Sequence, residues 1–148
     1  MKVVCNVNFD SVETVNRNLN GVLTNVGKGT KLATEVACEL IYEATIAQVP
    51  EDTGTLKSSA FWKVERRTEL AASSWRYRGI VGYGGNGDPV NPKTGRPASE
   101  YMVVVHEDLS AYHAKGKAKF LEDPLREFSE GGTIFKLFLA EVKRRLDN

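Results

Sequence analysis

The stretch VPEDTGTLKSS, residues 49–59, separates a helical part of the chain from a mixed part. Before it, from Lys31 to about Gln48, apolar side chains recur at i, i+4 spacing, which predicts a helix with one broad apolar face. Pro50 cannot continue a helix and restricts Val49 to an extended backbone, so we expect the helix to end there. The expected face consists of Leu32, Ala33, Val36, Ala37, Leu40, Ile41, Ala44 and Ala47.

The tripeptide Asp52-Thr53-Gly54 within this stretch predicts a compact turn. Aspartate and threonine side chains bind nearby backbone groups, and glycine tolerates positive φ. Leu56 is then expected to be the first residue that re-enters the core. Asp-Thr-Gly also occurs in aspartic proteases, whose chemistry requires two carboxylates that share a proton on buried apolar strands. Because charged residues precede and follow Asp52 closely, we interpret the tripeptide as a structural turn.

The N-terminal part of the chain carries two further patterns. Residues 3–9 alternate apolar and polar side chains, which predicts a short half-buried strand. From about Asp10 to Val26 the apolar side chains recur at helical spacing, and we expect Gly27 and Gly29 to weaken or break that helix. Its apolar residues are Val12, Val15, Leu19, Val22, Leu23 and Val26.

After the turn the pattern changes to strands and loops. Ala60–Arg67 and Trp75–Tyr83 alternate aromatic or β-branched residues with charged ones, which predicts a β-hairpin that reverses in the ELAAS stretch. Gly84–Ala98 is rich in glycine and proline and predicts a long, exposed, flexible loop; loops of this length are usually functional or disordered. Tyr101–His106 is predicted to be a short apolar strand.

Two helices are predicted at the C-terminal end, Ala118–Glu127 and Thr133–Leu146, with Thr133 as the N-cap of the second. The apolar stripe of the second helix consists of Ile134, Leu137, Phe138, Val142 and Leu146. Helices that are segregated along the chain from an antiparallel sheet are typical of the α+β class. We therefore predict one two-layer α+β domain, residues 1–148, in which a small antiparallel sheet packs against one long helix and the C-terminal helix, with long loops.

The composition of the 148 residues bounds the function. The 20 Lys plus Arg and 19 Asp plus Glu give a net charge of +1, so the chain lacks the global basic field that supports non-specific nucleic-acid binding. Cys5 and Cys38 have neither metal nor redox spacing, which favours free thiols in a reducing compartment. No apolar run approaches the roughly 18 residues of a membrane span, so we expect a soluble, unsecreted protein.

Two glycine-rich motifs imitate nucleotide-binding sites. Residues 82–87 satisfy G-x-G-x-x-G, but a dinucleotide site needs a helix directly behind the motif, and the following Asp-Pro-Val-Asn-Pro forbids one. Residues 27–30 resemble the end of a phosphate-binding loop, yet the spacing back to Gly21 is one residue too long and no strand precedes them. We therefore expect no cofactor.

His106 and Glu107 begin like the H-E-x-x-H motif of zinc proteases, but Ser110 occupies the fifth position. The only other histidine is His113. A small metal-dependent hydrolase that combines these residues with Asp108 is the one enzymatic alternative that the pattern leaves open. No serine has an evident base beside it, so nucleophilic catalysis has no specific support. We expect a protein that is not an enzyme and has no catalytic or metal site.

Three segments taken together resemble a known family. They are the helix that ends in VPEDTGTLKSS, the stretch Tyr-x-x-x-x-His-Glu-Asp-Leu at residues 101–109, and Gly-Lys-Ala-Lys-Phe-Leu-Glu at residues 116–122. Their order and spacing are similar to those of the neck or tail-completion proteins of long-tailed bacteriophages, which are minor structural proteins of the virion. The resemblance covers about residues 31–146. The chain departs from the family pattern with Glu51, where valine is commoner, and with His-Glu-Asp at the strand end.

The resemblance implies a structural role without catalytic turnover. Proteins of this family join the head connector to the tail as subunits of a ring around the DNA channel; a tail-terminator subunit is the close alternative. The implied partners are further copies of the chain, head-closure or connector proteins, and tail terminator or tail tube proteins, while phage DNA only passes through the channel. Neither a membrane nor a small-molecule substrate is implied. The implied location is the virion, assembled in the cytoplasm of the bacterial host.

A ring built head to tail requires two different surfaces on each subunit, and the segments between regular elements are our candidates for them. We expect the long loop and the arm, residues 106–116, to reach neighbouring subunits, and Phe120 and Leu121 to anchor the arm to the core. The interface-loop candidates are Gly84, Gly85, Asn86, Gly87, Asn91 and Arg96. The arm and anchor candidates are His106, Glu107, His113, Lys119, Phe120 and Leu121, and the structural turn comprises Asp52, Thr53, Gly54 and Leu56.

Overall fold

The computed structural model describes residues 9–66, 77–85 and 87–147. In chain order the elements are α1 (Phe9–Gln48), α2 (Thr55–Ser58), β1 (Phe61–Arg66), β2 (Tyr77–Gly82), α3 (Ala98–Glu107), α4 (Glu122–Glu130) and α5 (Thr133–Leu146). Both strands and α5 pack against α1. A small antiparallel sheet and a C-terminal helix on one long helix confirm the predicted α+β class.

α1 is one continuous helix of 40 residues, so the expected break at Gly27 and Gly29 is wrong. Both glycines are buried in the packed part of the helix. A Cβ atom on Gly29 would lie 3.1 Å from the Cα atom of Val142 in α5. Here glycine allows two helices to approach closely, and this packing offsets its helix-propensity cost of about 1 kcal/mol.

The buried face of α1 is rotated from the predicted one. Its buried residues are Ala33, Ala37, Cys38, Ile41 and Thr45, whereas Leu40, placed in the face by the sequence pattern, is 37% exposed. Small side chains point inward because the sheet approaches α1 closely: a Cβ atom on Gly79 of β2 would overlap the sulfur of Cys38. The Cys38 thiol is free, and burial raises its pKa.

The predicted hairpin is present, with β1 and β2 antiparallel and Phe61 opposite Gly82 at one end, Arg66 opposite Tyr77 at the other. β1 begins one residue later and β2 ends one residue earlier than the sequence predicts, and the other predicted ends, Arg67 and Trp75, lie outside the described residues. The expected reversal in the ELAAS stretch lies outside the described residues. So does the strand expected for residues 3–9, except for its last residue, Phe9, which belongs to α1.

The prediction of a strand at Tyr101–His106 is wrong, because this segment lies inside α3. Its run of valines favours a strand locally. Two features select the helix. The Asp88 carboxylate accepts a hydrogen bond from the Ser99 backbone N–H at 2.9 Å, and so caps α3 from 11 residues upstream. At the same time Tyr101 and Val105, at i, i+4 spacing, pack against the core.

The C-terminal helices match the prediction more closely. α5 spans the predicted Thr133–Leu146, although its N-cap is Gly132, at φ 67°, and not Thr133. α4 begins at Glu122, later than the predicted Ala118. Among the described residues, none of the helices combines the length and the apolar character that crossing a bilayer requires.

One hydrophobic cluster positions the loops. It lies where the end of α1, the following turn, β2 and the start of α3 converge on the segment before α4. Its buried members are Val49, Leu56, Tyr83, Ala98 and Phe120. The segments that the sequence singles out all leave from this cluster.

Candidate assembly surface

The turn, the loop and the arm share one groove, with a volume of about 430 Å³. Its lining comes from four parts of the chain: turn residues 50–54, Asn91 of the loop, Tyr101 and Val105 of α3, and arm residues 112–115. Segments that are up to about sixty residues apart along the chain therefore build one surface feature.

The turn has the predicted glycine geometry but uses its aspartate differently. Gly54 adopts φ 77° immediately before α2, and Leu56 is buried with 5% exposure. The Thr53 and Thr55 hydroxyls lie 2.8 Å apart and share a hydrogen bond. The exposed Asp52 carboxylate accepts a hydrogen bond from Lys93 Nζ at 2.5 Å. Asp52 thus links the turn to the loop, an exposed ion pair that contributes at most about 1 kcal/mol.

The outer part of the loop forms a small hairpin, which we call the finger, residues 90–97. Val90 and Pro97 form an isolated antiparallel bridge. Inside it the Asn91 N–H donates to the Arg96 carbonyl at 2.8 Å, and the Gly95 N–H donates to the Asn91 carbonyl at 2.8 Å. The loop is exposed, as predicted, but these hydrogen bonds give it a defined shape where flexibility was expected.

The base of the loop is fixed to the domain through two glycines. The Gly84 N–H donates to the Ser59 hydroxyl at 3.1 Å, and the Gly85 N–H to the Ser59 carbonyl at 3.4 Å. Gly84 has φ 71°, and a Cβ atom there would lie 2.8 Å from the Cα atom of Ser99. Gly87 is exposed, and Asn86 lies outside the described residues. The inner glycines therefore serve close packing, and the finger carries the exposed surface.

The arm returns to the end of α1. The Lys117 N–H donates to the Gln48 carbonyl at 2.9 Å, and Gly116, at φ 82°, lies against the backbone of Val49 and Pro50. Between these contacts and α3 the arm exposes two large side chains, Leu109 at 77% and Tyr112 at 91%. Sequence reasoning missed both, although apolar residues in a polar loop segment were a usable signal.

Phe120 is the anchor of the segment that follows the arm. It is 1% exposed and lies between the rings of Tyr83 and His106, at 5.0 Å from each ring centre and nearly perpendicular to both. Leu121 packs beside it against the same cluster. Lys119, at φ 58°, turns the backbone so that Phe120 points inward. Large aromatic side chains in this edge-to-face geometry dominate local packing energies.

His106 is engaged in structural hydrogen bonds. Its Nε2 accepts from the Glu122 N–H at 3.3 Å, so its Nδ1 carries the proton and donates to Glu107 Oε1 at 2.8 Å. Lys119 binds the same carboxylate, and these two donors lower the pKa of Glu107, Lys119 contributing first. Asp108 accepts from the Ser110 N–H and hydroxyl, and these hydrogen bonds lower its pKa.

These contacts disfavour the metal-hydrolase alternative. A metal on His106 Nε2 would have to displace the hydrogen bond from the Glu122 backbone. Within residues 9–66, 77–85 and 87–147, no three His, Cys, Asp or Glu side chains are grouped so that they could hold a metal ion. His106 and Glu107 instead tie the end of α3 to the start of α4 and to Lys119 just before it, whereas Asp108 stabilises a local turn with Ser110.

We predict a late-titrating tyrosine in the folded protein. Burial raises the pKa of Tyr83 to about 12, although the Thr45 hydroxyl, 3.0 Å away, opposes the shift. The unfolded value is about 10, so the stability that Tyr83 contributes is complete below pH 10 and is lost as the pH rises through about 12. Tyrosinate absorbance should show a late step that Tyr83→Phe removes. A titration curve that Tyr83→Phe leaves unchanged at high pH would contradict the packing described for this ring.

Comparison with known proteins adds no relative: no protein-family model, curated protein or solved structure matches the chain.

Proposed function

We propose that this protein is a structural subunit of a phage virion that joins the head connector to the tail, as one member of a ring around the DNA channel. The observation that carries the proposal is the groove where the turn, the finger and the arm meet. Two of the segments on which the family resemblance rests, residues 49–59 and 101–109, line this groove. The third, residues 116–122, joins them through the Lys117–Gln48 hydrogen bond and the buried Phe120. Together these segments offer a partner one continuous contact surface.

The exposed apolar side chains of the finger and the arm support an interface over a catalytic role. Val90 of the finger is 57% exposed, and Leu109 and Tyr112 extend further into solvent. Tyrosine is enriched at protein interfaces because it brings a large contact area and a polar tip at small cost in conformational entropy. Several ionisable side chains nearby are engaged in ion pairs, such as Lys93 with Asp52 and Lys119 with Glu107. His113 lines the groove, and its buried Nε2 atom has no hydrogen-bond partner among the residues that the structure describes.

The defined shape of the finger also supports this role. Hydrogen bonds inside the finger and the ion pair to Asp52 hold it in one conformation before a partner arrives. Preorganisation lowers the entropy cost of binding and therefore favours affinity. The net charge of +1 is compatible with DNA that passes through a ring without being bound tightly.

Shortening the finger tests the proposal. Replacing residues 91–96 with Asn-Gly should keep the Val90–Pro97 bridge, because a two-residue Asn-Gly turn closes an antiparallel pair. In a phage that lacks the reading frame, the wild-type gene on a plasmid should restore infectivity. With the shortened variant, the number of infectious particles should be lower by orders of magnitude. The temperature of its thermal unfolding should remain close to that of the wild type.

The control is Lys136→Ala, an exposed change on α5 that lies outside the groove and should complement like the wild type. If the shortened variant also complements normally, the finger does not contact a partner. If the wild-type gene itself is dispensable for infectious particles, the virion role is excluded.

A further inference from the structure

The first half of α1 carries an exposed apolar stripe. Val12, Val15, Leu19 and Val22 are 42%, 55%, 55% and 48% exposed. Their spacing of three, four and three residues places them on one face of the helix, at alternating a and d positions of a heptad pattern. Isolated exposed apolar residues are ordinary, but a continuous helical stripe of them marks an interaction surface.

The stripe continues the face of α1 that α5 covers. Phe138 of α5 lines the same cavity as Ala37, and Val142 lies against Gly29, so α5 runs antiparallel to α1. Heptad steps from Ala33 lead back to Val26 and Leu19 on nearly the same face. α5 ends at Leu146, about one turn after Val142, which lies against Gly29. At 1.5 Å per residue, Leu19 lies roughly 15 Å beyond Gly29 along the axis of α1. The face of α1 that α5 covers therefore continues beyond the end of α5 as the exposed stripe.

We propose that two copies of the chain pair through this stripe, α1 against α1, in an antiparallel, two-fold symmetric arrangement. The 3-4-3 spacing is the same in both directions. Val12 can therefore face Val22 of the second copy, and Val15 can face its Leu19, which gives four apolar layers. A two-fold interface requires one patch that is complementary to itself, and this stripe meets that condition.

The residues beside the stripe fit a second copy. Asn16 and Asn18 flank it, and an amide both donates and accepts, so it can pair with the same side chain on an identical helix. The exposed Glu13 and Arg17 occupy the b and f positions, away from the seam. Two identical stripes can thus meet without bringing like charges together.

The ends of the helices add complementary charge. In this register α1 of the second copy runs in the same direction as α5 and starts close to where α5 ends. The last turn of α5 is basic, with Lys143, Arg144 and Arg145, and it would lie near Glu13 of the second copy. The negative end of one helix dipole would face the positive end of the other, which is also favourable. A second copy therefore continues the α5 packing both in shape and in charge.

The contact is small, and this sets its strength. A standard interface buries about 800 Å² of accessible surface on each partner, and four apolar layers bury roughly half of that area. We expect an association that depends on concentration, with a Kd on the order of 10 µM. The pairing is independent of the proposed virion role, because a two-fold contact differs from the head-to-tail contacts of a ring.

Sedimentation equilibrium of the full chain tests the pairing. The wild type should shift from monomer to dimer with increasing concentration, and Leu19→Glu should weaken the dimer at least tenfold, since it places two like charges in adjoining layers. Arg17→Glu, on the opposite face of the same turn of α1, should dimerise like the wild type. A wild type that stays monomeric up to about 1 mM, well above the expected Kd, or a Leu19→Glu variant that dimerises normally, would overturn the proposal.

Disulfide trapping tests the direction of pairing, in a Cys5→Ser background where the remaining Cys38 is buried. A mixture of Val15→Cys and Leu19→Cys proteins should form the mixed disulfide, because these positions face each other in the antiparallel register. Val15→Cys alone should cross-link poorly. Preferential homodimer formation by Val15→Cys would indicate parallel helices and would overturn the antiparallel arrangement.

Discussion

Phe120→Ala is expected to lower the free energy of unfolding by about 3–5 kcal/mol, the usual cost of removing a fully buried phenylalanine ring. Phe120 is 1% exposed and contacts the rings of Tyr83 and His106 edge to face. Its loss would leave a cavity where α3, β2 and the segment before α4 meet. Urea denaturation followed by circular dichroism measures the change.

The matched control is Phe135→Ala, which removes the same ring from a position that is 64% exposed in α5. We expect its effect to stay within about 0.5–1 kcal/mol, as for exposed substitutions in general. Because the chemical change is identical, the difference between the two variants isolates burial. Equal effects would contradict the assignment of Phe120 to the core.

Gly116→Ala is the second change with a large expected effect. Gly116 has φ 82°, and a Cβ atom would lie 2.5 Å from the backbone nitrogen of Pro50 and 2.5 Å from the carbonyl of Val49. Backbone atoms cannot move aside as a flexible side chain can. The arm should therefore separate from the end of α1 and lose the hydrogen bond between Lys117 and Gln48. We expect the free energy of unfolding to fall by more than about 2 kcal/mol, because backbone strain and the lost contact both contribute.

Gly95→Ala is the control for this variant. Gly95 in the finger also has positive φ, 70°, but no atom lies within 4 Å of the position a Cβ would take. It should show only the backbone strain, about 1 kcal/mol. Limited proteolysis should cut the arm faster in Gly116→Ala and leave it protected in Gly95→Ala. Equal stability losses, with an equally protected arm, would mean that the arm does not rest on the end of α1.

Local sequence signals were reliable where chemistry within a few residues determines the structure. Pro50 ends α1 after Gln48, as expected, and the positive φ of Gly54 forms the predicted turn. The hairpin and α5 were also predictable, because strand alternation and helical periodicity are properties of a single element. In each case the side chains that specify the element lie inside it.

The sequence-based predictions were wrong where contacts with residues distant in the chain determine the structure. Gly29 alone predicts a break in the helix, but in the structure it allows Val142 of α5 to pack closely against α1. The valine run of α3 reads as a strand, because the cap that selects the helix comes from Asp88, 11 residues from Ser99. Likewise the sequence pointed to the finger and the arm separately. The arm lies beside the turn because Gly116 packs against Val49 and Pro50, and the finger is linked to the same turn by Lys93 and Asp52. Tertiary contacts override local propensity in all of these cases.

The most direct test of the proposed role is electron microscopy of the particles that form when the reading frame is deleted from its phage. We expect DNA-filled heads beside complete but unattached tails, which is the phenotype of a missing subunit at the joint. Tails of uncontrolled length would instead favour the tail-terminator position. Normal, infectious virions would contradict the structural role.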